Sequence, residues 1–184
     1  MSRAVAAALI HFPVLGRGGE TLTATVTNLD VHDLSRSARS YGLAAFFVVH
    51  PRPAQRLLGE RIRAHWVSGT GRRRIPDRGA ALELSSFVAD LDEALGRLGP
   101  GAEIWTTAAR EGGGPVTTFA RARQILSEPG PAVLLCFGTA WGLAPEVLAR
   151  ATLRLEPIVG RGDYNHLSVR AASAICLDRL LGPR

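Results

Sequence analysis

The residues best suited to chemistry lie in the last third of the chain, in the run Tyr164-Asn165-His166-Leu167-Ser168. His166 can carry a proton near neutral pH, and the Asn165 amide can donate to an acceptor base. A lone histidine is more often structural than catalytic, so this run takes its meaning from what surrounds it. Upstream, an apolar run at residues 133–137 ends in Phe137-Gly138 and continues as Thr139-Ala140-Trp141-Gly142-Leu143. Glycines at a strand exit let the backbone come close to a ligand. The same two glycines also mark an ordinary strand exit and helix start, and taken alone the residues favour that plainer reading.

Those side chains need elements to hold them. Residues 133–137 read as a buried strand, 138–142 as a glycine-bounded loop, and a helix opens at Leu143. A second short strand at 153–155 leads into Glu156-Pro157-Ile158, a glycine-broken loop and an apolar closing helix from about Leu167. Two strand ends therefore carry irregular loops that can face one ligand, as strand C-terminal ends do in open α/β sheets. Earlier in the chain, residues 4–14 and 21–27 read as extended segments joined by a turn at Gly16-Arg17-Gly18-Gly19. That glycine cluster lacks the strand, G-x-G-x-x-G, helix order of a dinucleotide site.

Asn28 or Asp30 is placed to cap the next helix, which ends at Gly42. A strand at 43–49 follows, then a helix started by Pro51 and Pro53 with Leu58, Ile62, His65 and Trp66 on one apolar face. Residues 68–79 form a polar, basic stretch that reads as a loop and carries Arg72, Arg73, Arg74 and Arg78. A strand at 82–88, a helix at 91–98, a strand at 103–107, a break at 112–114 and a helix capped by Thr117 or Thr118 complete the series. Alternating strands and helices from Leu43 onward predict an α/β fold with a mainly parallel sheet flanked by helices, in a single domain over residues 1–184.

Two stretches together resemble the SPOUT superfamily of S-adenosylmethionine-dependent RNA methyltransferases. One is the order just described, from the F-G loop through Glu156-Pro157-Ile158 to the closing helix. The other is the run 27–43, with Asn28, Arg36, Ser37, Ala38, Tyr41 and Gly42. The resemblance implies a C-terminal trefoil knot, a homodimer, and S-adenosylmethionine bent within the knot. By motif, cofactor contacts are expected from Thr106, Thr107, Ala108, Phe137, Gly138, Gly142, Leu143, Glu156, Pro157, Ile158, Asn165, Leu167 and Ser168.

The resemblance also assigns Arg36 to the acceptor. Arginine is a poor base, so its role is to orient the acceptor and stabilise developing negative charge. Asn28 would fix geometry by hydrogen bonding and His166 would move a proton. Two departures from the ribose-methylating pattern leave base or ribose open: Thr139-Ala140-Trp141 stands where an Asn-Glu pair is usual, and Asn165-His166-Leu167-Ser168 where a Leu-Asn-x-Ser run is usual. The alternative is an RNA-binding module that keeps the scaffold without catalysis.

Composition agrees with an RNA partner. The 184 residues carry a net charge of +6, and all 22 cationic Lys-plus-Arg positions are arginine. A basic balance favours polyanions through counterion release, although arginine in place of lysine raises the pI without by itself making a nucleic-acid surface. Arg72, Arg73, Arg74 and Arg78 are the expected phosphate contacts, with Trp66 at their edge able to stack on a base. Cys136 and Cys176 sit in apolar runs and read as core residues. No run is long enough to span a membrane and no signal peptide is evident, so a cytoplasmic location is expected. The last helix offers Ala171, Ala174, Ile175, Leu180 and Leu181 as a dimer face.

Overall fold

A computed structural model describes residues 2–107, 115–162 and 164–183. Six parallel strands form its main sheet: β1 (Val5–Ile10), β4 (Ala45–Val49), β5 (Ser85–Val88), β6 (Glu103–Thr106), β7 (Val133–Gly138) and β8 (Leu153–Arg154), in the order β5-β4-β1-β7-β6-β8. A separate antiparallel hairpin pairs β2 (Val14–Leu15) with β3 (Thr21–Leu22) around the glycine turn. β1 pairs with β4 through Ile10 opposite Val49, and with β7 through Ile10 opposite Gly138.

The central strands are almost continuously apolar because both faces of the sheet are covered. Their side chains alternate between two cores. Val5, Ala7 and Leu9 of β1, Phe46 and Val48 of β4, and Val133, Leu135 and Phe137 of β7 enter one core. Packed on that face are α1 (Asn28–Ser40), α2 (Pro53–Val67), α4 (Pro76–Leu82), α6 (Phe119–Ser127) and α8 (Val169–Leu181). Ala6, Ala8, Ile10, Phe47, Val49, Leu134 and Cys136 enter the other, under α5 (Leu91–Leu98), α7 (Pro145–Leu148) and the hairpin. Burial pushes both the Cys136 and Cys176 thiols up to about 12.

The local departures from expectation have identifiable causes. Thr27 caps α1, not Asn28 or Asp30: its Oγ1 accepts from the Asp30 N–H at 3.1 Å and donates to the Asp30 carboxylate at 2.6 Å. The basic stretch is not a loop but α3 (Thr70–Arg74) followed by α4. Gly71 and Gly79 let these turns pack on α2, since a Cβ at Gly71 would lie 2.6 Å from the Trp66 ring and one at Gly79 would lie 2.6 Å from the Trp66 carbonyl oxygen. The last short helix starts at Pro145, where proline's fixed φ suits the first helical position, while Leu143 is held in a bridge to Val14. The break expected at 112–114 lies outside the described residues.

α2 packs closely over β5 at Gly59. A Cβ at Gly59 would meet the Phe87 ring at 2.0 Å, and Phe87 is itself buried. Gly59→Ala is therefore expected to destabilise the fold by about 1–3 kcal/mol, lowering Tm by roughly 3–10 °C in a thermal melt. An unchanged melt would mean that α2 can lift from β5 without cost.

Candidate functional site

Because the strands are parallel, the ends of β6, β7 and β8 open on the same edge of the sheet. Thr106 closes β6 with no exposed surface, and its hydroxyl meets no hydrogen-bond partner among the described residues. Its carbonyl accepts from the Leu155 N–H at 2.9 Å. Thr107 follows, its hydroxyl donating to the Cys136 carbonyl at 3.2 Å. Ala108, the third residue expected here, lies outside the described residues.

Glu156 turns toward the protein. Its Oε1 accepts from the Phe119 N–H at 2.8 Å, at the start of α6, where the helix dipole favours a carboxylate. Its own N–H donates to the Thr117 carbonyl at 3.0 Å. Glu156 is thus a fixture for the loop that carries Pro157 and Ile158. Among the described residues, the backbone N–H groups of Ile158 and Leu167 meet no acceptor.

The loop after β7 folds back on its own strand. A Cβ at Gly138 would lie 2.7 Å from the Leu143 nitrogen and 2.8 Å from the Gly142 carbonyl carbon. This backbone contact by itself requires glycine at 138. Gly142 is glycine for another reason: its φ is 110°, with open space around the missing Cβ. The hairpin clamps the loop from outside, since Leu15 N–H donates to Gly142 O at 2.9 Å and Trp141 N–H donates to Leu15 O at 3.0 Å. Thr139 ties it to β1, donating through its hydroxyl to Ile10 O at 3.0 Å.

The two loops meet through aromatic rings. Trp141 stands edge-to-face to His166 with centroids 6.2 Å apart, and Tyr164 does the same at 5.2 Å. Ser168 caps α8, accepting from the Ala171 N–H at 3.2 Å. At the second residue of α8, Arg170 donates to Asp30 at 2.7 Å and lies 3.4 Å from Asp33, joining α8 to α1.

Arg36 lies on another side of α1. It is exposed, and with Arg78 it acts on His32 in the group that includes His65 and Trp66. Asn28 is exposed at the first turn of the same helix. Within one chain, therefore, His166, Gly138, Gly142 and Ser168 come together, and Arg36 stands apart from them. The basic stretch is also divided. Arg78 sits 4.5 Å over the Trp66 ring, and Arg72 caps the end of α2 by donating to Val67 O at 3.0 Å. Trp66, half-buried, is covered on one face by Arg78 and meets His32 and His65 edge-to-face. Arg73 and Arg74 remain exposed and suited to phosphate.

Sequence reasoning passed over two histidines. His11 and His50 each stand one residue beyond an apolar strand, with proline two or one residues on, and that repeated pattern was the available signal. Both are buried, their rings 5.8 Å apart. Arg52 N–H donates to His50 Nδ1 at 3.1 Å, so Nε2 carries the hydrogen and donates to Ala24 O at 3.1 Å. Neither ring nitrogen of His11 has a partner among the described residues. Burial, then the neighbouring His50, lowers the His11 pKa to about 4.

An S-adenosylmethionine group fits the polar groups present. The orphaned Thr106 hydroxyl and the unpaired N–H groups of Ile158 and Leu167 offer polar partners for an adenosine.

Solved structures share this architecture. The SpoU methyltransferase AviRb from Streptomyces viridochromogenes in complex with the cofactor AdoMet superposes with a TM-score of 0.59 at 13% identity, covering 98% of this chain and 60% of that one. The fold is that of the SPOUT methyltransferases. The chain belongs to the SAM-dependent RNA methyltransferase family, whose model matches residues 4–182. A tRNA (guanine-N(1)-)-methyltransferase of Oleidesulfovibrio alaskensis is 42% identical over 179 residues, which are 95% of this chain and 41% of that protein. The chain thus spans about two-fifths of that relative's length. An uncharacterized protein of Aquifex aeolicus is 34% identical over 177 residues, covering 94% of this chain and 86% of that protein.

The lowered pKa of His11 couples stability to pH. Between about 4 and 6.5 the unfolded chain binds the proton that the folded chain refuses. The contribution is whole above pH 6.5 and is lost as pH falls toward 4, on the order of 3 kcal/mol. Denaturant midpoints measured across that range should fall with acidification, and His11→Asn should flatten the slope, leaving the smaller share of His50 and His32. An equal slope in the variant would remove His11 from the account.

Proposed function

We propose that this chain transfers the methyl group of S-adenosylmethionine to a structured RNA, a tRNA or an rRNA, working in the cytoplasm as a homodimer with the whole chain as one knotted domain. The observation that carries the reading is the meeting of the β6, β7 and β8 ends around the unpaired Thr106 hydroxyl, in a chain of this family. When bound, the cofactor supplies an electrophilic methyl group on a sulfonium.

The chain's residues divide the remaining work. Thr106, Thr107, Phe137, Leu143, Pro157 and Ile158 bind, while Gly138 and Gly142 shape the loop and Glu156 anchors it to α6. Asn165, Leu167 and Ser168 bring His166 to the mouth, where its imidazole takes a proton from the acceptor. Arg36 and Asn28 act on the RNA side, orienting the acceptor and stabilising its developing charge. Arg73 and Arg74 hold phosphates, with Arg72 and Arg78 supporting the turns that present them.

Homodimerisation has its support in Leu29 and Leu167, exposed apolar residues beside the Asp30–Arg170 pair, and in half-buried Ala171, Ala174 and Ile175 on α8. Leu180 is buried and Leu181 packs against the core, so neither belongs to that face. The name of the Oleidesulfovibrio relative favours tRNA. It describes a protein of which this chain matches 41%, so the proposal assigns no acceptor atom.

Calorimetric titration with S-adenosylmethionine should show saturable binding, weakened at least about tenfold by Gly138→Ala, whose Cβ displaces the 142–143 backbone. Arg36→Ala should leave that affinity within about twofold and lower transfer to RNA by roughly 10²–10³. Failure of the unmodified protein to bind the cofactor, with RNA present, would leave RNA binding without catalysis. Loss of cofactor affinity in Arg36→Ala would refute the role given to that side chain.

A further inference from the structure

Of the three tryptophans, Trp141 is the most exposed. Trp105 is fully buried with its indole N–H donating to Glu103 at 3.0 Å, and Trp66 is half-buried with Arg78 over one face and two histidines edge-to-face to it. Trp141 is 51% exposed, and Tyr164, on the opposite loop, is 80% exposed. His166 lies between them in edge-to-face contact with both. An edge-to-face cluster leaves ring faces open, and a large aromatic group held open to water is unfavourable unless something covers it.

The backbone under Trp141 is held in place at a cost. Ala140 has φ 52°, the left-handed region that a side chain disfavours, worth on the order of 1 kcal/mol. The hydrogen bonds of Trp141 N–H to Leu15 O at 3.0 Å and Gly142 N–H to Thr139 O at 3.0 Å keep it there. The clamp fixes the main chain at Trp141 and leaves the indole outside, above the ends of β7 and β8.

We infer that Trp141, His166 and Tyr164 form a stacking platform for the acceptor nucleobase, so that the RNA substrate presents an unpaired nucleotide at this mouth. The inference rests on the reading of the site as an RNA methyltransferase and adds its substrate class. Every base offers a π face to an aromatic ring, but a base inside a duplex has both faces taken by its neighbours. A nucleotide splayed from a loop or bulge has one to give. The occupant is RNA rather than an apolar peptide because the chain is basic, at +6, with arginine as its only cationic side chain apart from histidine, and Arg161 is exposed in the same loop.

The test measures equilibrium binding of the full protein to two labelled RNAs, a stem with an unpaired loop and the same stem as a continuous duplex, with a parallel titration of S-adenosylmethionine. Trp141→Ala should weaken binding of the looped RNA roughly 5–100-fold, Trp141→Phe should restore most of it, and His166→Ala should weaken it less. Duplex affinity and cofactor affinity should move by less than about twofold. Addition of the looped RNA should quench tryptophan emission in the unmodified protein and not in Trp141→Phe.

Equal loss of loop and duplex binding, or no loss, would overturn the platform. So would a change in sedimentation of Trp141→Ala without a change in RNA affinity, since a second copy would then be the occupant. A protein that binds cofactor but neither RNA also overturns it while leaving the cofactor site intact. If Trp141→Ala loses the looped RNA and the unmodified protein transfers no methyl group, the platform stands and the methyl-transfer reading falls.

Discussion

β1 is hydrogen-bonded along both edges, to β4 on one side and β7 on the other, and the molecule is arranged around that double pairing. It sets Ile10 level with Val49 and with Gly138, so the chain leaves all three strands at one height. Everything just beyond that height is crowded. His11 and His50 are packed ring against ring, Thr139 is tied to Ile10, and the 138–143 loop can only turn back over its own strand. A slip of one residue in β1 would exchange the two cores, since Ala7 and Leu9 face one and Ala8 and Ile10 the other.

Much of this could be read from residue order. Apolar runs of strand length bounded by glycine and proline gave the parallel α/β sheet, and Thr118, Asp90 and Pro53 mark helix starts by side-chain type. What escaped depended on contacts between distant segments. The turns at 70–82 are rich in arginine and glycine and look like loop, yet two glycines let them pack on α2 and become helix. Nothing local to Arg78 says that its guanidinium will lie on Trp66. The reason for Gly138 was likewise hidden, because the atoms that demand it, in Gly142 and Leu143, come close only once the loop has closed.

The candidate site was legible as a set of loops and less so as a set of roles. Glu156 was expected among cofactor contacts; its carboxylate also accepts from the first N–H of α6, a task visible only when β8 is seen beside Thr117. His166 was singled out as a proton carrier; its neighbours Trp141 and Tyr164 add a second use of the same imidazole, as the middle ring of a cluster. The hairpin around Gly16 and Gly19 had no evident purpose in the sequence, and its Leu15 turns out to hold the Trp141 loop by both backbone groups.

The burial of both thiols has a consequence for how the protein meets oxidants and electrophiles. Cysteines attack as thiolates, and groups raised to about 12 inside apolar packing hold almost no thiolate at neutral pH. Thiol-directed oxidants, quinones and alkylating agents therefore find almost no thiolate at Cys136 or Cys176. The same silence makes the fold a clean host for a single introduced cysteine, to which a dye can be attached without competition from Cys136 or Cys176.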